Sequence, residues 1–409
     1  VQRHPLSALD LVSAKLSRPR RPLDFTVILT VDGVCFEDLI RGAQSARHAF
    51  PTSGSIVVGR EWVWQSEGAE LCRCVDAEDE AARRAVLEAF VDAPLDVHCE
   101  APVRVMWVTG PAGNRLAVRF HHAAFDGISA GLWLLQMLLV ATGALPEVTT
   151  VAVWEPPKLK VHPEPARLSK YAWGGASEGL WHPGGQPSAA RRWRALAVEA
   201  APLRRAVQRL DGPTYNDFLA SAFLETLVRW NRSHGEPASR MGLWLPVNIR
   251  QRALEGFGNG SSRIRVYARP LEEPSADQKI RQFREQVAWS RAHGEWNVPE
   301  DLAVFKWPAW LMVPVLRMFI DRPGVDYGSA VFSHMEKLGA AEQLLPMVSD
   351  PEWVMMLDKR YPVGMVAATM GAHTRMSLTW DPAMMPDSDA NQLLDSYGEV
   401  LEEMRGAIS

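Results

Sequence analysis

Two adjacent histidines are followed four residues later by an Asp-Gly pair, in the run His121-His122-Ala123-Ala124-Phe125-Asp126-Gly127. An imidazole titrates near neutral pH, so it can take a proton from a hydroxyl, amine or thiol and return it later. The preceding residues, Arg115–Phe120, alternate as a strand: Leu116, Val118, Phe120 and His122 share one face, and Arg119 and His121 the other. His122 therefore points with the apolar set. Burial there disfavours the charged ring and keeps it neutral, as a general base requires. Asp126 can hold the turn by pairing with an arginine, and Gly127 allows a sharp bend without a Cβ clash. The plainer alternative is a core histidine with an exposed neighbour and a turn-forming Asp-Gly. The pairing of all these residues at a strand exit favours the chemical role.

A second motif overlaps the first, because Gly127-Ile128-Ser129-Ala130-Gly131 matches the G-x-S-x-G nucleophile elbow of serine hydrolases. An elbow needs an apolar strand running straight into its first glycine, and His121–Asp126 intervene. Ser129 is accordingly expected to cap Leu132 or a neighbour at the start of a helix. That helix, within the uncharged stretch Ile128–Leu145, is expected in the core and not in a membrane, since it is short, holds two glycines and a glutamine and meets Pro146.

The elements that must position these residues follow from periodicity. Asp24–Val31 reads as a strand, Phe36–His48 as a helix, Ser55–Trp64 as further strand and Asp79–Val91 as a helix. Val103–Val108 and Arg115–Phe120 form a hairpin across Gly110-Pro111-Ala112-Gly113-Asn114. Later come a helix over Asn216–Arg232 capped by Thr214 or Asn216, strands at Met241–Asn248 and Arg263–Tyr267, and a helix over Ser275–Arg291. A strand at Thr374–Trp380 precedes a last helix whose inner face is Leu393, Leu394, Tyr397, Val400, Leu401 and Met404. Leu311–Leu316 with Met318, Phe319 and Ile320 reads as a core helix interrupted by Pro314 and Arg317. Most of the tryptophans, Trp154, Trp173, Trp181, Trp193, Trp230, Trp244, Trp307, Trp310, Trp353 and Trp380 among them, are assigned to core packing, with some free to line a tunnel. Between residues 146 and 187, seven prolines and five glycines break every periodic pattern. The chain thus divides into an N-terminal lobe at 1–150, a crossover at 151–187 and a C-terminal lobe at 188–409, an α/β (α+β) organisation in two lobes.

Composition removes several function classes. The 409 residues are 47% hydrophobic and 22% charged, with a net charge of −4, so no nucleic-acid partner is expected. Four cysteines, Cys35, Cys72, Cys74 and Cys99, show neither disulfide nor zinc spacing, so no metal is expected and a reducing cytoplasm fits. Residues 1–23 lack the pattern of a secretory signal, and a first residue of Val1 leaves room for a trimmed leader.

The HHxxxDG run at His121–Gly127 resembles the active-site motif of the CoA-dependent acyltransferase superfamily. That superfamily contains chloramphenicol acetyltransferase, nonribosomal peptide condensation domains, polyketide-associated acyltransferases and bacterial wax ester synthase/diacylglycerol acyltransferases. Pro5-Leu6-Ser7-Ala8-Leu9-Asp10, Thr214-Tyr215-Asn216-Asp217 and Pro246-Val247-Asn248-Ile249-Arg250 with Phe257-Gly258-Asn259 are similar to further stretches of the wax ester and polyketide-associated branches. Two departures stand out: no DFGWG occurs near the C-terminus, and Ser333-His334-Met335-Glu336 replaces the wax ester branch's Ser-Asn-Val-Pro.

The resemblance implies two chloramphenicol-acetyltransferase-like lobes in one chain with the active site in a channel between them, and His122 as the catalytic histidine. It also implies an arginine partner for Asp126, for which Arg250 is the choice and Arg252 the alternate. The expected reaction moves an acyl group from a thioester, acyl-CoA or the phosphopantetheine of an acyl-carrier protein, to the hydroxyl or amine of an apolar, bulky acceptor. Asn259, Ser333 and Trp380 are candidates for the oxyanion donor or tunnel wall. Arg191, Arg192, Arg194, Arg204, Arg205 and Arg209 could gather at the donor's mouth. The alternatives are a stand-alone condensation enzyme for carrier-bound substrates, a serine hydrolase using Ser129, and a silent carrier-binding module.

Overall fold

The computed structural model describes residues 2–18, 22–65, 71–111, 113–163, 177–252, 254–268, 274–296, 307–320, 328–335, 347–358 and 360–408. Ala112, Trp173, Glu336 and the side chains of Phe319 and Ile320 lie outside the described residues. The chain forms two compact units. Unit 1 takes Val1–Leu159, Arg250–Gly260 and Met335–Met356; unit 2 takes Lys160–Ile249, Ser261–His334 and Leu357–Ser409. Both mix helices with sheets.

Along unit 1 run β1 (Arg3–Pro5), α1 (Ala8–Leu16), β2 (Asp24–Val31), α2 (Phe36–Ala49), β3 (Ser55–Val58), β4 (Glu61–Trp64), β5 (Cys72–Asp76), α3 (Glu80–Asp92), β6 (Val103–Thr109), β7 (Arg115–His121) and α4 (Gly127–Ala141). Unit 2 begins with β8 (Arg192–Glu199), α5 (Ala200–Gln208), α6 (Tyr215–Ser233) and β9 (Gly242–Asn248). It continues through β10 (Ser261–Tyr267), α7 (Ala276–Ala292), α8 (Ala309–Ile320) and β11 (Ala330–Met335), whose last residue belongs to unit 1. Then β12 (Val348–Val354) returns to unit 1, and β13 (Val363–Met370), β14 (His373–Trp380) and α9 (Asp387–Ile408) complete unit 2.

The main sheet of unit 1 has the order β12-β2-β7-β6-β5, beside a smaller sheet β1-β4-β3. β2 and β7 pair antiparallel, with Phe25 opposite Phe120 and Asp24 opposite His121. Because β7 is interior and covered on both faces, every residue from Leu116 to His121 is buried. This is how a strand of alternating Arg and apolar residues is tolerated: each face needs its own partners. α4 packs against α2, and its uncharged composition reflects burial of most of its length. Among the described residues no helix is long and apolar enough to cross a membrane.

Unit 2 has a six-stranded sheet in the order β10-β9-β11-β13-β14-β8. Its core joins Phe218, Phe223 and Leu227 of α6 to Leu393, Tyr397 and Leu401 of α9. The Tyr397 hydroxyl donates to the Leu219 carbonyl at 3.1 Å, which satisfies a fully buried phenol. Thr214 and Ser275 cap α6 and α7, each in a capping box with Asp217 and Gln278. α8 departs from expectation: Trp307, Trp310, Leu311 and Met318 at and before it are exposed, so it is not a core helix.

Candidate active site

The turn after β7 is held from both ends. The His122 N–H donates to the Leu23 carbonyl at 2.8 Å, and the His122 carbonyl accepts from Asn259 Nδ2 at 3.0 Å. Ala124 and Phe125 N–H both donate to the His121 carbonyl, which winds residues 121–125 into a single turn. The peptide of His122 is thus fixed, and only its ring retains freedom. That ring is half-buried and lies 4.7 Å, centroid to centroid, from Phe25, the cross-strand partner of Phe120. It sits on the apolar side of β7. Burial is the strongest influence and pushes the imidazole below its ordinary pKa, while Asp126, Asp24 and a backbone hydrogen bond to Phe125 pull it up. A neutral ring that gives its one N–H to a backbone carbonyl presents the other nitrogen as a proton acceptor.

Asp126 and Arg250 form the centre of a dry polar network. Arg250 Nη1 and Nη2 meet the two Asp126 oxygens at 2.5 and 3.0 Å, a bidentate pair in which both residues are nearly inaccessible. Asp126 is also the N-cap of α4, its Oδ1 accepting from the Ser129 N–H at 2.9 Å, and its Oδ2 accepts from the Gly260 N–H at 2.9 Å. Arg252, the alternate partner, is exposed and lies 3.8 Å from Glu255.

Ser129 does not cap the helix. Its hydroxyl donates to the Gly258 carbonyl at 2.7 Å and accepts from the Gly258 N–H at 3.0 Å and from Arg250 Nη2 at 2.9 Å. The capping task had been taken by Asp126, which freed the serine to bind the 250–260 segment. Fully buried inside α4, it has none of the exposure of a nucleophile elbow.

Gly127 also differs from expectation. Its φ is not positive, so no sharp bend demands glycine; instead a Cβ there would meet Met335 Sδ at 2.8 Å. Gly260 is required by the same kind of crowding, since its Cβ would fall 2.7 Å from the Arg250 guanidinium.

His121 occupies the opposite face of β7. Its Nδ1 accepts from the Ala123 N–H at 3.0 Å, and beside it Arg119 Nη2 meets Asp24 Oδ2 at 2.7 Å, with all three residues inaccessible. Desolvation pushes the His121 pKa down to about 4, against the pull of Asp24, so the ring is neutral.

The three oxyanion candidates separate. Asn259 spends an amide N–H on the His122 carbonyl, which makes it a support of the histidine. Trp380 lies in the core of unit 2 with its indole N–H on Asp387 Oδ1 at 2.8 Å. Ser333 is half-buried on β11 of unit 2. Its neighbour His334 hydrogen-bonds Thr369 Oγ1 at 3.1 Å and is pushed down to about 4 by burial. Of the six arginines expected at a donor mouth, Arg191 is buried, Arg194 pairs with Asp395 at 2.9 Å, and Arg204 lies over the Tyr215 ring.

Sequence reasoning did not find the backbone of Gly258, the crowding at Gly260, or Phe25 beneath the histidine. The Gly256-Phe257-Gly258-Asn259-Gly260 run was the available signal, because three glycines in five residues mark a backbone that must come close to something.

No family model matches the sequence. Two curated relatives, uncharacterised proteins of Mycobacterium tuberculosis strains CDC 1551 and H37Rv, are each 29% identical over 211 residues, 48% of this chain and 49% of theirs. The match therefore spans about half the length of these curated relatives. Among solved structures, the first condensation domain of the calcium-dependent antibiotic synthetase matches with TM-score 0.70 and 14% identity, covering 100% of this chain and 97% of that one. The starter condensation domain of rhizomide synthetase, in complex with C8-CoA and Leu-SNAC, matches with TM-score 0.68 and 13% identity over 99% and 94%. Wax ester synthase/diacylglycerol acyltransferase from Marinobacter aquaeolei VT8 matches with TM-score 0.60 and 14% identity over 99% of each chain. The fold is the α/β fold of condensation domains and wax ester synthase.

Proposed function

We propose that the protein is an acyltransferase that uses His122 as general base to move an acyl group from a thioester to an apolar alcohol or amine. The observation that carries this is the His122 imidazole itself, depressed in pKa, fixed by its peptide on both sides and resting on Phe25. A free ring nitrogen takes the acceptor's proton as its oxygen or nitrogen bonds to the thioester carbonyl carbon. The resulting tetrahedral oxyanion collapses, the C–S bond breaks, and the imidazolium returns the proton to the departing thiolate. Protons and electron pairs balance with no further reactant. Asp126 and Arg250 touch none of these atoms; they hold the turn that carries the histidine.

Two likenesses support the choice of substrates. A condensation domain of this fold was determined with C8-CoA, which favours a CoA thioester donor, and another protein of this fold is a wax ester synthase, which favours a hydroxyl acceptor. Phe25 and Phe120 around the histidine favour an apolar acceptor, since a charged one would lose hydration without a partner. The higher TM-scores of the condensation domains support a second reading, with carrier-bound phosphopantetheine thioesters as donors. The test is thiol release from acyl-CoA and from acyl-carrier protein against a panel of alcohols and amines graded by polarity. Turnover rising with acceptor apolarity is expected. Absence of acceptor-dependent thiol release from either donor would overturn the assignment.

A further inference from the structure

We infer that Trp353 and Phe25 are positioning residues for His122, a stack of rings that fixes where the imidazole points; this rests on the proposed role of His122 as general base. The peptide of His122 is held at both ends, so the aim of its nitrogens depends on the two torsions of its side chain. One restraint on them is the hydrogen bond to the Phe125 backbone, and the other is the Phe25 ring at 4.7 Å. A ring restrains its neighbour only if it cannot yield. β2 runs between β12 and β7, so Phe25 has Phe120 on one flank, at 5.6 Å, and Trp353 on the other, at 5.9 Å and an interplanar angle of 15°. Both flanking rings and Phe25 itself are buried.

Trp353 reaches this face through an irregularity. Ser349 lies opposite Thr30 but Glu352 lies opposite Ile28, so β12 uses one residue more than β2 across the bulge. Residues directly opposite in a sheet point to the same side. With the bulge, Trp353 pairs with Val27, which in turn pairs with Val118 on the side of Phe120 and His122. Without it, the register from Ser349 would set Trp353 opposite Thr26, on the side of Arg119 and His121. The extra residue therefore turns the indole to the histidine's face. Its backbone strain is visible at Asp350, whose φ of 51° is the one left-handed conformation of a non-glycine residue among the described residues. A strand that only closed the sheet edge could stay regular, whereas bulges beside active sites commonly re-aim a side chain.

The test compares Trp353→Leu and Phe25→Leu, which keep an apolar side chain but remove a flat plate, with Trp353→Phe, which restores one. Trp62→Leu, equally buried but in β4 of the smaller sheet, is the control. In protein with isotope-labelled histidine, the His122 signal is the one missing from His122→Asn, and its shift is followed against pH. Loosening the stack admits water beside a ring whose pKa burial holds down, so the titration should move upward by ~0.5–1 pH unit in both leucine variants. Turnover per folded molecule should fall ~10-fold or more at unchanged KM, because a misaimed base acts after binding, and the acid limb of the pH profile should move with the titration. Trp353→Phe should restore both readouts, and Trp62→Leu should lower the melting temperature and leave the titration in place. A His122 titration identical to wild type in folded Trp353→Leu or Phe25→Leu, or an equal movement in Trp62→Leu, would overturn the inference. The titration needs no substrate, so failure of acyl transfer with every donor and acceptor would count against the proposed function, while the hold of the stack on the imidazole is judged by the titration alone.

Discussion

Two buried carboxylate–guanidinium pairs flank His121 and His122 in unit 1, and they are built differently. Asp24 and Arg119 sit on neighbouring strands in a directly paired region of the sheet, and Arg119 also donates to the Phe90 carbonyl at 3.0 Å. Asp126 and Arg250 are 124 residues apart and join the turn after β7 to the segment Arg250–Gly260. The first pair belongs to sheet interior and leaves the backbone of the turn alone. The second brings in Asn259, which holds the His122 carbonyl, and Gly258, which engages Ser129. The same residue types therefore act as sheet cement in one place and as a positioning frame in the other. What separates the two roles is whether the partner arrives from the adjacent strand or from a remote segment.

The largest effect should come from His122 itself. His122→Ala should lower turnover by ~10²–10⁴-fold with little change in melting temperature, since its ring makes one hydrogen bond, to the Phe125 backbone, and is only half-buried. Near-full turnover in that variant would remove the histidine from the chemistry.

Asp126→Ala and Asp24→Ala each strand a buried guanidinium, at a cost of ~3–5 kcal/mol to stability. The comparison sharpens in the residual folded protein: Asp126→Ala should lose activity in excess of its unfolded fraction, and Asp24→Ala should not. Denaturant titration with Arg250→Ala and the double variant should show strong non-additivity; additive losses would break the pair apart.

His121 supplies a pH dependence with a definite sign. Its folded pKa of about 4 lies below the ordinary histidine value, so the unfolded chain binds the proton first on acidification. The contribution is intact above the unfolded pKa, near ~6.5, and is lost as pH falls toward 4, by roughly 3 kcal/mol at ~1.4 kcal/mol per pH unit. His334 in unit 2 is also pushed down to about 4 and acts in the same sense. Stability curves for His121→Asn and His334→Asn should each flatten part of the slope between pH 6.5 and 4. An unchanged slope in His121→Asn would place its titration elsewhere.

Ser129→Ala should cost ~1–3 kcal/mol, because it leaves the buried Gly258 N–H without its acceptor, while Arg250 Nη2 keeps Asp126 Oδ1 and the Gly258 carbonyl. Lost capping alone would give a smaller effect. Covalent labelling of Ser129 by a fluorophosphonate would contradict its burial.

Local signals in the sequence carried over well where the structure is local. Thr214 and Ser275 cap their helices, β2 has the bounds of its apolar run, and the periodic face of α9 is the buried one. The alternation around His122 also survives: β7 runs one residue past the expected Phe120, to His121, and His122 opens the turn that follows. Remote pairing left no such mark. β12 closes the edge of the unit 1 sheet, yet a bulge between Ser349 and Glu352, Asp350 at φ 51° and Pro351 remove any alternation. α8 shows the converse, since periodicity reports that a helix is apolar and not whether protein covers it. Ser129 was misassigned for a similar reason: a hydroxyl near a helix start favours a cap until a better-placed aspartate takes the position.

Unit 1 is assembled from three separate stretches of chain, and this bears on the order in which the protein can fold. During synthesis the turn with His122 leaves the ribosome well before Arg250, and β12, which hydrogen-bonds to β2, follows about a hundred residues after that. Until then β2 has an open edge and Asp126 has no guanidinium, so the early chain exposes a pairing-competent strand while unit 2 is still being made. Closing such long loops before any contact compensates for the lost chain entropy makes the frame of the histidine a late event. A fragment ending near residue 159 would hold the histidines, Leu23 and most of their sheet, but neither the Arg250–Gly260 segment that holds the turn nor the edge strand β12.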